Sequence, residues 1–287
     1  MRLLVTSDLH YNHARSKPLA EELVRRINGE RADAVLVVGD TAVADGDALE
    51  RCLSRFTFDG PKPFVAGNHE LWTAGDDSYP LYTHGLPRRV SAMGWHWLEG
   101  APFVAGDVAL VGSLGWYDYS FARPELGIPR RFYEHKVSPG AARALARFAH
   151  LFDGRDDEIP PVAMNLVARW NDGKFVKLHR SDGQFLDERL DQLERDLDHV
   201  RAAGTVLVAV HHLPFAALLP PPHSAQWDFA KAYLGSERFG RVLLRYANVR
   251  EVVCGHSHFA AEARVEHVRA VSLGSGYRSK TFHAYEL

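Results

Sequence analysis

Carboxylate, amide and imidazole side chains follow several separate apolar runs of the chain. They lie in the segments Asp8-Leu9-His10, Gly39-Asp40, Gly67-Asn68-His69-Glu70, His211-His212 and Gly255-His256-Ser257-His258. Imidazole and carboxylate together favour divalent transition metals such as Mn, Fe, Co, Ni or Zn. The glycines before Asp40, Asn68 and His256 allow tight turns as the backbone leaves each run. The side chains therefore indicate a metal site, provided that the fold brings them together.

Each segment alone also has an ordinary structural explanation. Asp8-x-His10 is common by chance, and an Asp at a helix start is often a cap. Gly39-Asp40 is more often a turn than a metal ligand. Paired histidines such as His211-His212 often combine a core residue with a surface one. The combination of all the segments, each at the end of a predicted strand, favours the metal site.

The apolar runs that precede these segments predict strands. They cover residues 2–7, 34–39, 63–67, 205–210 and 251–255. Runs rich in Val and Leu are typical of strands buried on both faces in a parallel sheet that helices cover. Ligands of open α/β sheets bind beyond the carboxyl ends of the strands. We therefore expect the polar groups to meet at one rim.

Helical and antiparallel patterns complete the predicted architecture. Helices are predicted from two apolar faces, Leu19, Leu23, Val24 and Ile27, then Leu49, Cys52, Leu53 and Phe56 with Asp47 as the cap. A second strand group alternates more, which suggests an antiparallel or mixed sheet, at 108–112, 264–268, 271–275 and 281–286. The expected fold is α/β, a four-layer α/β/β/α sandwich with two mixed sheets and the metal site at the C-terminal ends of strands.

Residues 119–203 are less regular than the rest of the chain. They include a predicted helix opened by Ser138-Pro139 and an acidic run at 153–158. An amphipathic helix follows, with Gly204 to end it and an apolar face of Leu186, Leu190, Leu193, Leu197 and Val200. We predict a single domain over 1–287, with 119–203 as an insertion or cap segment over the sheet edge.

Composition limits the class of partner and the compartment. The 287 residues are 46% hydrophobic and 24% charged, with a formal net charge of -2, which favours neither nucleic acid nor an anionic membrane as partner. No apolar stretch approaches the roughly 20 residues of a membrane span, and the first residues do not resemble a signal peptide. The two cysteines, Cys52 and Cys254, fit a reducing compartment. We expect a cytoplasmic protein.

The polar segments, in this order and over residues 8–258, resemble the signature of the calcineurin-like metallophosphoesterases. That family has the sandwich fold inferred above. The resemblance implies that two divalent ions are bound, with Asp40 bridging them. It implies one ion held by Asp8, His10, Asp40 and His258, and a second held by Asp40, Asn68, His211 and His256.

One position departs from the family pattern. The family often has an acidic or amide residue three positions after the bridging Asp, where this chain has Val43. Asp45 and Asp47 are candidates to replace it. The choice of His211 over His212 follows the family's placement of the ligand directly after the strand.

The resemblance also implies the chemistry. Two ions about 3.5–4 Å apart can hold a bridging water, lower its pKa and stabilise the attacking and leaving oxygens of a phosphate ester. His69 resembles the family's non-ligating histidine, so it is the candidate general acid for the leaving group. The alternative is a histidine that only orients Asn68 or the phosphate.

Candidate substrate contacts lie in two places. One group follows the predicted strand at 108–112, and the others lie within 119–203. Trp116, Tyr117 and Asp118 mix aromatic and polar groups, and Arg130 with Arg131 could grip phosphate. Trp170-Asn171-Asp172 is a third candidate. The alternatives are packing aromatics, surface arginines and a turn.

The predicted function is hydrolysis of a phosphomonoester or phosphodiester of a small molecule such as a nucleotide. A nuclease is an alternative, although no basic stripe is evident. A catalytically inactive binding scaffold is less favoured, because every ligand position and His69 are filled. The sequence leaves open the native metals, the substrate and the oligomeric state.

Overall fold

The computed structural model describes residues 1–75, 77–152, 154 and 159–287. Within these ranges the strands are β1 Arg2–Thr6, β2 Ala34–Val38, β3 Pro63–Val65, β4 His96–Trp97, β5 Phe103–Ala105, β6 Val108–Ser113, β7 Thr205–Val210, β8 Val249–Cys254, β9 Ala260–Val265, β10 Val268–Leu273 and β11 Phe282–Glu286. The α-helices are α1 Lys17–Gly29, α2 Ala48–Leu53, α3 Ser78–Pro80, α4 Leu86–Ala92, α5 Arg130–Glu134, α6 Pro139–Arg143, α7 Pro161–Met164, α8 Asp172–Phe175, α9 Asp182–His199, α10 Ala225–Ala230 and α11 Glu237–Leu243. A π-helical segment covers Leu81–Gly85, and short 3-10 helices lie at His69–Leu71, Pro124–Leu126, Ala146–Leu151, Ala216–Leu218 and Lys231–Tyr233.

The strands form two mixed sheets. The first has the order β11-β1-β2-β3-β4 and the second has the order β5-β6-β7-β8-β10-β9. In the first sheet, β1 to β4 are parallel and β11 is antiparallel to β1. In the second, β6, β7, β8 and β10 are parallel, and the edge strands β5 and β9 are antiparallel. The predicted pair of mixed sheets is confirmed.

Alternating apolar residues separate the two faces of each sheet. Leu3 and Val5 of β1 share a fully buried cluster with Leu207 of β7. This cluster fills the space between the sheets, because successive side chains of a strand point to opposite faces. Leu4, between Leu3 and Val5, belongs instead to a second cluster that includes the buried residues of α1 and α9. Two sheets with helices outside give the predicted four-layer sandwich.

The pairing of several strands differs from the sequence-based prediction. The sequence places β7 and β8 with β1 to β3, but they pair with β6 and β10 in the second sheet. It places β11 in the second strand group, but β11 pairs with β1. Buried parallel strands of either sheet have the same Val-rich composition, so composition alone does not assign them.

One predicted strand spans a hairpin turn. The strand expected at 264–268 is wrong, because β9 ends at Val265 and β10 begins at Val268. Glu266 between them has a left-handed backbone with φ of 53°. The sequence also did not predict the short strands β4 and β5. Strands of two or three residues carry too few positions for a periodic pattern.

The two early helices form with small differences from their predicted faces. Helix α1 buries Leu23, Val24 and Ile27, but Leu19 is exposed and Ala20 takes the remaining buried position. Helix α2 ends at Leu53, so the buried Phe56 lies beyond it. Asp47 is at the N-cap of α2 but makes no capping hydrogen bond, and its carboxylate lies 3.2 Å from the Arg51 guanidinium.

Segment 119–203 contains both of its predicted helices. Helix α6 begins directly after Ser138, and α9 is opened by a capping box in which Ser181 and Gln184 exchange hydrogen bonds. The predicted apolar face of α9 is buried up to Leu197, and Val200 follows the helix. Most of the acidic run at 153–158 lies outside the described residues. That 119–203 is an insertion stays a prediction. No helix in the described part of the chain is long and apolar enough to cross a bilayer.

Candidate metal centre

Three of the polar segments leave their strands through left-handed backbone. Asp8, His10, Asp40, His256 and His258 all have positive φ, between 44° and 65°. Residues other than glycine adopt this conformation rarely, and such strain is concentrated at functional sites. The backbone of Asp8-x-His10 and His256-x-His258 is therefore not extended, although the side chains of each pair converge. Sharp turns rather than strand alternation bring the side chains together.

Two glycines are needed because other groups approach the backbone closely. A Cβ on Gly67 would lie 2.3 Å from Asp40 Oδ1 and 2.7 Å from His211 Nε2. A Cβ on Gly39, where φ is +77°, would lie 2.3 Å from His211 Nδ1. All three distances are shorter than non-bonded atoms allow, so any larger residue would displace Asp40 or His211.

The first cluster of potential ligands contains Asp8, His10, Asp40 and His258. One donor atom from each lies within 4.8 Å of all the others. The Nε2 atoms of His10 and His258 are 2.9 Å apart, and His258 Nε2 is 3.3 Å from Asp8 Oδ1. His10 Nε2 lies 3.9 Å from carboxylate oxygens of both Asp8 and Asp40. This is the residue set that the resemblance implied for one ion.

The second cluster contains Asp40, His211 and His256, again with donor atoms within 4.8 Å of one another. His211 Nδ1 lies 2.9 Å from the Val38 carbonyl oxygen, so Nε2 faces Asp40 Oδ1 at 3.4 Å. His256 Nε2 lies 3.2 Å from the Tyr233 carbonyl oxygen, which leaves Nδ1 for an ion. A carbonyl that accepts from one ring nitrogen fixes the other as a ligand. Asp40 belongs to both clusters.

Asn68 is oriented by a carboxylate from the distant segment 119–203. Its Nδ2 donates to Asp172 Oδ1 at 2.8 Å. A carboxylate only accepts, so the amide nitrogen of Asn68 must face Asp172 and the amide oxygen must face away. That oxygen is buried and has no hydrogen-bond partner among the described residues. It is therefore free to bind an ion.

Asp172 accepts from three further donors. Trp72 Nε1 also donates to Oδ1, at 2.7 Å, while Trp170 Nε1 and Tyr117 Oη donate to Oδ2 at 2.7 Å and 3.0 Å. All of these donors are neutral, and the carboxylate is fully buried. A buried carboxylate is stable only when it is well hydrogen-bonded, so this arrangement rigidly joins α8 to the end of β3.

These residues fit two divalent ions. Within the described residues, the buried Nε2 of His211 and Oδ1 of Asn68 lack partners, a costly state that metal binding would relieve. Burial holds the pKa of both His10 and His256 well below the usual value, so both imidazoles are neutral and able to bind a metal. Burial opposes ionisation of Asp40, but nearby His69 and His211 hold its pKa well below the usual value.

His69 lies beside the shared carboxylate. Its Nε2 is 3.8 Å from Asp40 Oδ2, and its backbone N–H donates to Asp40 Oδ1 at 2.9 Å. The imidazole stacks on Trp72, with ring centroids 3.7 Å apart. Its Nδ1 is buried and has no hydrogen-bond partner in the described part of the chain. The aromatic stack therefore orients the ring in place of a polar partner.

Asp45 and Asp47 are the candidates to replace the acidic residue that the family often has where this chain has Val43. Neither side chain contacts His69. The carboxylate of Asp45 accepts from Thr73 Oγ1 at 2.8 Å and from the backbone N–H of Ala74 at 2.7 Å. Asp47 pairs with Arg51 at the start of α2. Both carboxylates hold local turns.

Comparisons with known proteins agree with this geometry. The family model described as calcineurin-like phosphoesterase matches residues 1–260. The chain belongs to that family. No curated protein matches this calcineurin-like phosphoesterase. Among solved structures, phosphopantetheinyl hydrolase from Mycobacterium tuberculosis is similar, with 21% identity, a TM-score of 0.68 and coverage of 96% of this chain and 89% of that chain. A dimetal phosphatase from Danio rerio has 16% identity, a TM-score of 0.51 and coverage of 97% and 88%.

Membership of this family establishes the class of activity. The calcineurin-like phosphoesterase is a hydrolase of phosphate esters, and the Asp and His clusters fit the family's dimetal site. The identities to the two solved structures are low, so these likenesses concern the fold alone.

Glu70 fastens the two loops that carry Asp40 and Asn68. Its buried Oε2 accepts from the backbone N–H of Gly67 at 2.6 Å and of Asp40 at 2.9 Å. Its Oε1 accepts from Thr41 at 2.6 Å and Ala42 at 3.1 Å. One carboxylate therefore holds the ends of β2 and β3 together.

We expect Glu70→Gln to lower the free energy of unfolding of the metal-free protein by about 2–4 kcal/mol. The amide NH₂ would face two backbone N–H groups that now donate to a carboxylate oxygen. Denaturant titration at about pH 9 measures the change with the wild-type carboxylate ionised, because burial and the Asp40 charge raise the pKa of Glu70 to about 8. Glu22→Gln, at an exposed site on α1, is the matched control. Equal loss in both variants would contradict the role of Glu70.

Metal binding at the second cluster should depend on pH through His211. Burial lowers the pKa of His211, but the nearby negative charge of Asp40, 3.4 Å from Nε2, outweighs burial and raises it to about 9. An ion at Nε2 displaces this proton, so the affinity of the metal-free protein for the second ion should fall about tenfold per pH unit below about pH 9. Calorimetry in buffers of different ionisation enthalpy should detect about one released proton at pH 7. An affinity that is constant between about pH 7 and about pH 8 would contradict this assignment.

The predicted substrate contacts occupy two different environments. Trp116 and Tyr117 are fully buried and donate to Asp182 and Asp172 respectively. Asp118 accepts from Ser236 Oγ at 2.8 Å. These contacts give Trp116 and Tyr117 supporting positions behind the site, and their role in substrate binding stays a prediction.

The two arginines proposed for phosphate have other contacts. Arg130 Nε donates to Glu134 at 2.9 Å, and its guanidinium lies over the Tyr119 ring. Arg131 Nε donates to the Leu151 carbonyl oxygen at 2.7 Å. Contact of either side chain with a phosphate stays a prediction.

The sequence did not indicate two residues next to the first cluster. Tyr277 stacks on His10 with ring centroids 4.3 Å apart. Lys280 Nζ donates to the backbone carbonyl oxygens of Asp8 and Gly276, the latter at 2.7 Å. Both follow β10 in a segment without acidic or imidazole groups, so no local signal distinguished them from ordinary loop residues.

Proposed function

We propose that this calcineurin-like phosphoesterase hydrolyses a phosphate ester of a small molecule, with two divalent ions bound by the two clusters. The first ion would be held by Asp8, His10, Asp40 and His258, and the second by Asp40, Asn68, His211 and His256. The observation that carries the proposal is that Asp40 belongs to both clusters. Asp40 would be a ligand of both ions, and two such ions would supply the chemistry of two-metal hydrolysis.

A small substrate is favoured by the enclosure of the site. The side chains of Asp8, His10 and His211 have no exposure, and His258 has 26%. A nucleic acid would need an open basic surface, whereas the proposed ligands other than His258 are buried. Enclosure therefore supports a small phosphomonoester or phosphodiester over the nuclease alternative.

The protein's own residues would orient the ester and supply a proton. When bound, the ions would lower the pKa of a shared water and neutralise charge on the phosphate. The water oxygen forms the new bond to phosphorus as the bond to the ester oxygen breaks. His69, held by Trp72 beside Asp40, would donate its Nε2 proton to the leaving oxygen, which departs as an alcohol. Water supplies the oxygen of the phosphate product, and the proton that the water loses replaces the one donated by His69.

The native metals and the location belong to the same proposal. Imidazole, carboxylate and amide ligands favour Mn, Fe, Zn, Co or Ni. Both cysteines are buried and free, which is compatible with the expected cytoplasmic location.

The test uses purified protein stripped of metal by a chelator and then reloaded with single metals. We expect about two ions per chain and metal-dependent cleavage of para-nitrophenyl phosphate or bis(para-nitrophenyl) phosphate. The ratio of the two rates measures the preference for monoesters or diesters. Binding of metal without cleavage of either ester would support the inactive scaffold and would overturn the proposal.

A further inference from the structure

The metal centre opens to solvent beside His258. The side chain of His258 has 26% exposure, whereas those of Asp8, His10 and His211 are fully buried. His256, in the second cluster, is also buried. His258 is therefore the proposed ligand that faces solvent, and a phosphate ester would enter on this side.

A cavity of about 590 Å³ lies on this side. It is lined by His13, Ala14, Arg15, Tyr277 and Arg278. Tyr277, which lines the cavity, stacks on His10 with ring centroids 4.3 Å apart. Its ring is perpendicular to that of His258, with centroids 5.0 Å apart. The His13 ring lies 4.9 Å from Tyr277. The cavity is therefore adjacent to two residues of the first cluster.

The cavity has two cations without a structural role. Arg15 and Arg278 are exposed, and neither forms an ion pair or a hydrogen bond with any side chain that the structure describes. By contrast, Arg2, Arg89 and Arg269 elsewhere on the surface each pair with a carboxylate. Guanidinium groups bind phosphate through paired hydrogen bonds. Two free guanidiniums next to the opening therefore suit a second anionic group.

We infer that this cavity receives the leaving group and that the leaving group bears an anionic group of its own, such as a second phosphate, bound by Arg15 and Arg278. The inference rests on the proposed function, because it takes the metal centre as the site of hydrolysis. Tyr277 would pack against the linker between the two anionic groups, and its ring would keep that linker beside His10.

A second basic cavity provides a matched comparison. It has a volume of about 830 Å³, and Arg169, Trp170 and Lys174 are among its lining residues. Trp170 donates to the buried Asp172, and its ring centroid lies 5.7 Å from that of His256. Trp170 therefore separates this cavity from the buried second cluster. Replacing Arg169 and Lys174 removes two positive charges, as replacing Arg15 and Arg278 does. These two charges lie beyond Trp170, on the side of the second cluster.

The kinetic test compares alkanediol bisphosphates of increasing chain length with the corresponding alkyl monophosphates. We expect the metal-loaded wild type to prefer the bisphosphate at one range of lengths. The double variant Arg15→Gln/Arg278→Gln should lose on the order of tenfold in kcat/KM on that bisphosphate, through KM. Its kcat/KM for para-nitrophenyl phosphate should stay unchanged, and added salt should reduce the wild-type preference. Arg169→Gln/Lys174→Gln should match the wild type on every substrate.

Calorimetry with alkane bisphosphonates, which cannot be hydrolysed, measures the same contacts without turnover. The metal-loaded wild type should bind a bisphosphonate of the preferred length about tenfold more tightly than the alkyl monophosphonate. Arg15→Gln/Arg278→Gln should remove this difference.

The outcomes separate the two proposals. If no variant or wild-type protein cleaves any ester with metal, the proposed function fails. If the wild type cleaves monophosphates and bisphosphates equally at every length, or if Arg169→Gln/Lys174→Gln alone removes the preference, the assignment of the leaving group to the Tyr277 cavity is overturned while the hydrolase remains.

Discussion

His69→Ala should retain both metal ions and lose roughly a hundredfold to ten-thousandfold in kcat on alkyl phosphates. The expectation follows from the position of the ring. His69 Nε2 lies 3.8 Å from the shared carboxylate of Asp40, beside the proposed position of the phosphate, and its ring stacks on Trp72. His69 belongs to neither cluster of potential ligands. Its loss should therefore remove the proton donor and leave metal binding intact.

The dependence on the leaving group tests the role of His69 directly. An alkoxide is a poor leaving group and needs a proton, whereas para-nitrophenolate leaves without one. The loss in His69→Ala should therefore be much smaller for para-nitrophenyl phosphate than for an alkyl phosphate. Metal content by emission spectroscopy and kcat for both substrates are the measurements. His84→Ala, at an exposed histidine on the π-helical segment, is the control and should match the wild type.

Two results would contradict this role. An equal loss for both leaving groups would support the alternative, in which His69 orients Asn68 or the phosphate. Loss of an ion would make His69 part of the metal-binding structure. A preserved metal content with a large difference between leaving groups is expected only of a proton donor.

The proposed ligands could be predicted from the sequence because the pattern that identifies them is local. Every proposed ligand follows an apolar run directly, and parallel strands of a layered sandwich end at the same side. Donor atoms of Asp8, His10, Asp40 and His258 lie within 4.8 Å of one another, and their role as ligands stays a prediction. The backbone was not predictable in the same way, because left-handed conformations at Asp8 and His258 depend on the contacts that enclose the turn.

Long-range contacts explain what the sequence did not predict. Asp172 contacts Asn68 across 104 positions of the chain, and neither residue type nor spacing indicates such a pair. The sequence of Trp170-Asn171-Asp172 indicates only a substrate contact or a turn. The carboxylate instead lies behind Asn68. Assignment of β7 to the second sheet has the same cause, because pairing between distant strands is decided by packing rather than by local composition.

Asp172→Asn should weaken binding of the second ion by roughly tenfold to a hundredfold. In the wild type, the acceptor-only carboxylate requires Asn68 to turn its amide nitrogen towards Asp172 and its oxygen away. An amide at position 172 could accept from or donate to Asn68, so the orientation of Asn68 would no longer be fixed. It would also meet the donors of Trp72, Trp170 and Tyr117 with fewer acceptors.

Asp182→Asn is the matched control for Asp172→Asn, because the two carboxylates have similar positions in the fold. Asp182 is also a buried carboxylate at the first position of a helix, α9, as Asp172 is at the start of α8. It accepts from Trp116 Nε1 at 2.8 Å, from Tyr119 Oη and from Lys136 Nζ at 2.6 Å. None of these contacts involves a proposed ligand. Both substitutions should therefore lower the free energy of unfolding, by about 1–3 kcal/mol.

Metal stoichiometry separates the effect on the site from the effect on stability. In Asp172→Asn, the first ion should keep its affinity, because Asp172 accepts no hydrogen bond from Asp8, His10 or His258 in the described structure. The second ion should be lost first in a titration with a chelator, and kcat should fall with it. Asp182→Asn should lose neither ion selectively. If Asp172→Asn and Asp182→Asn released metal in parallel, the contact of Asp172 with Asn68 would contribute to stability alone. Selective release of the second ion from Asp172→Asn requires that Asp172 sets the orientation of a metal ligand.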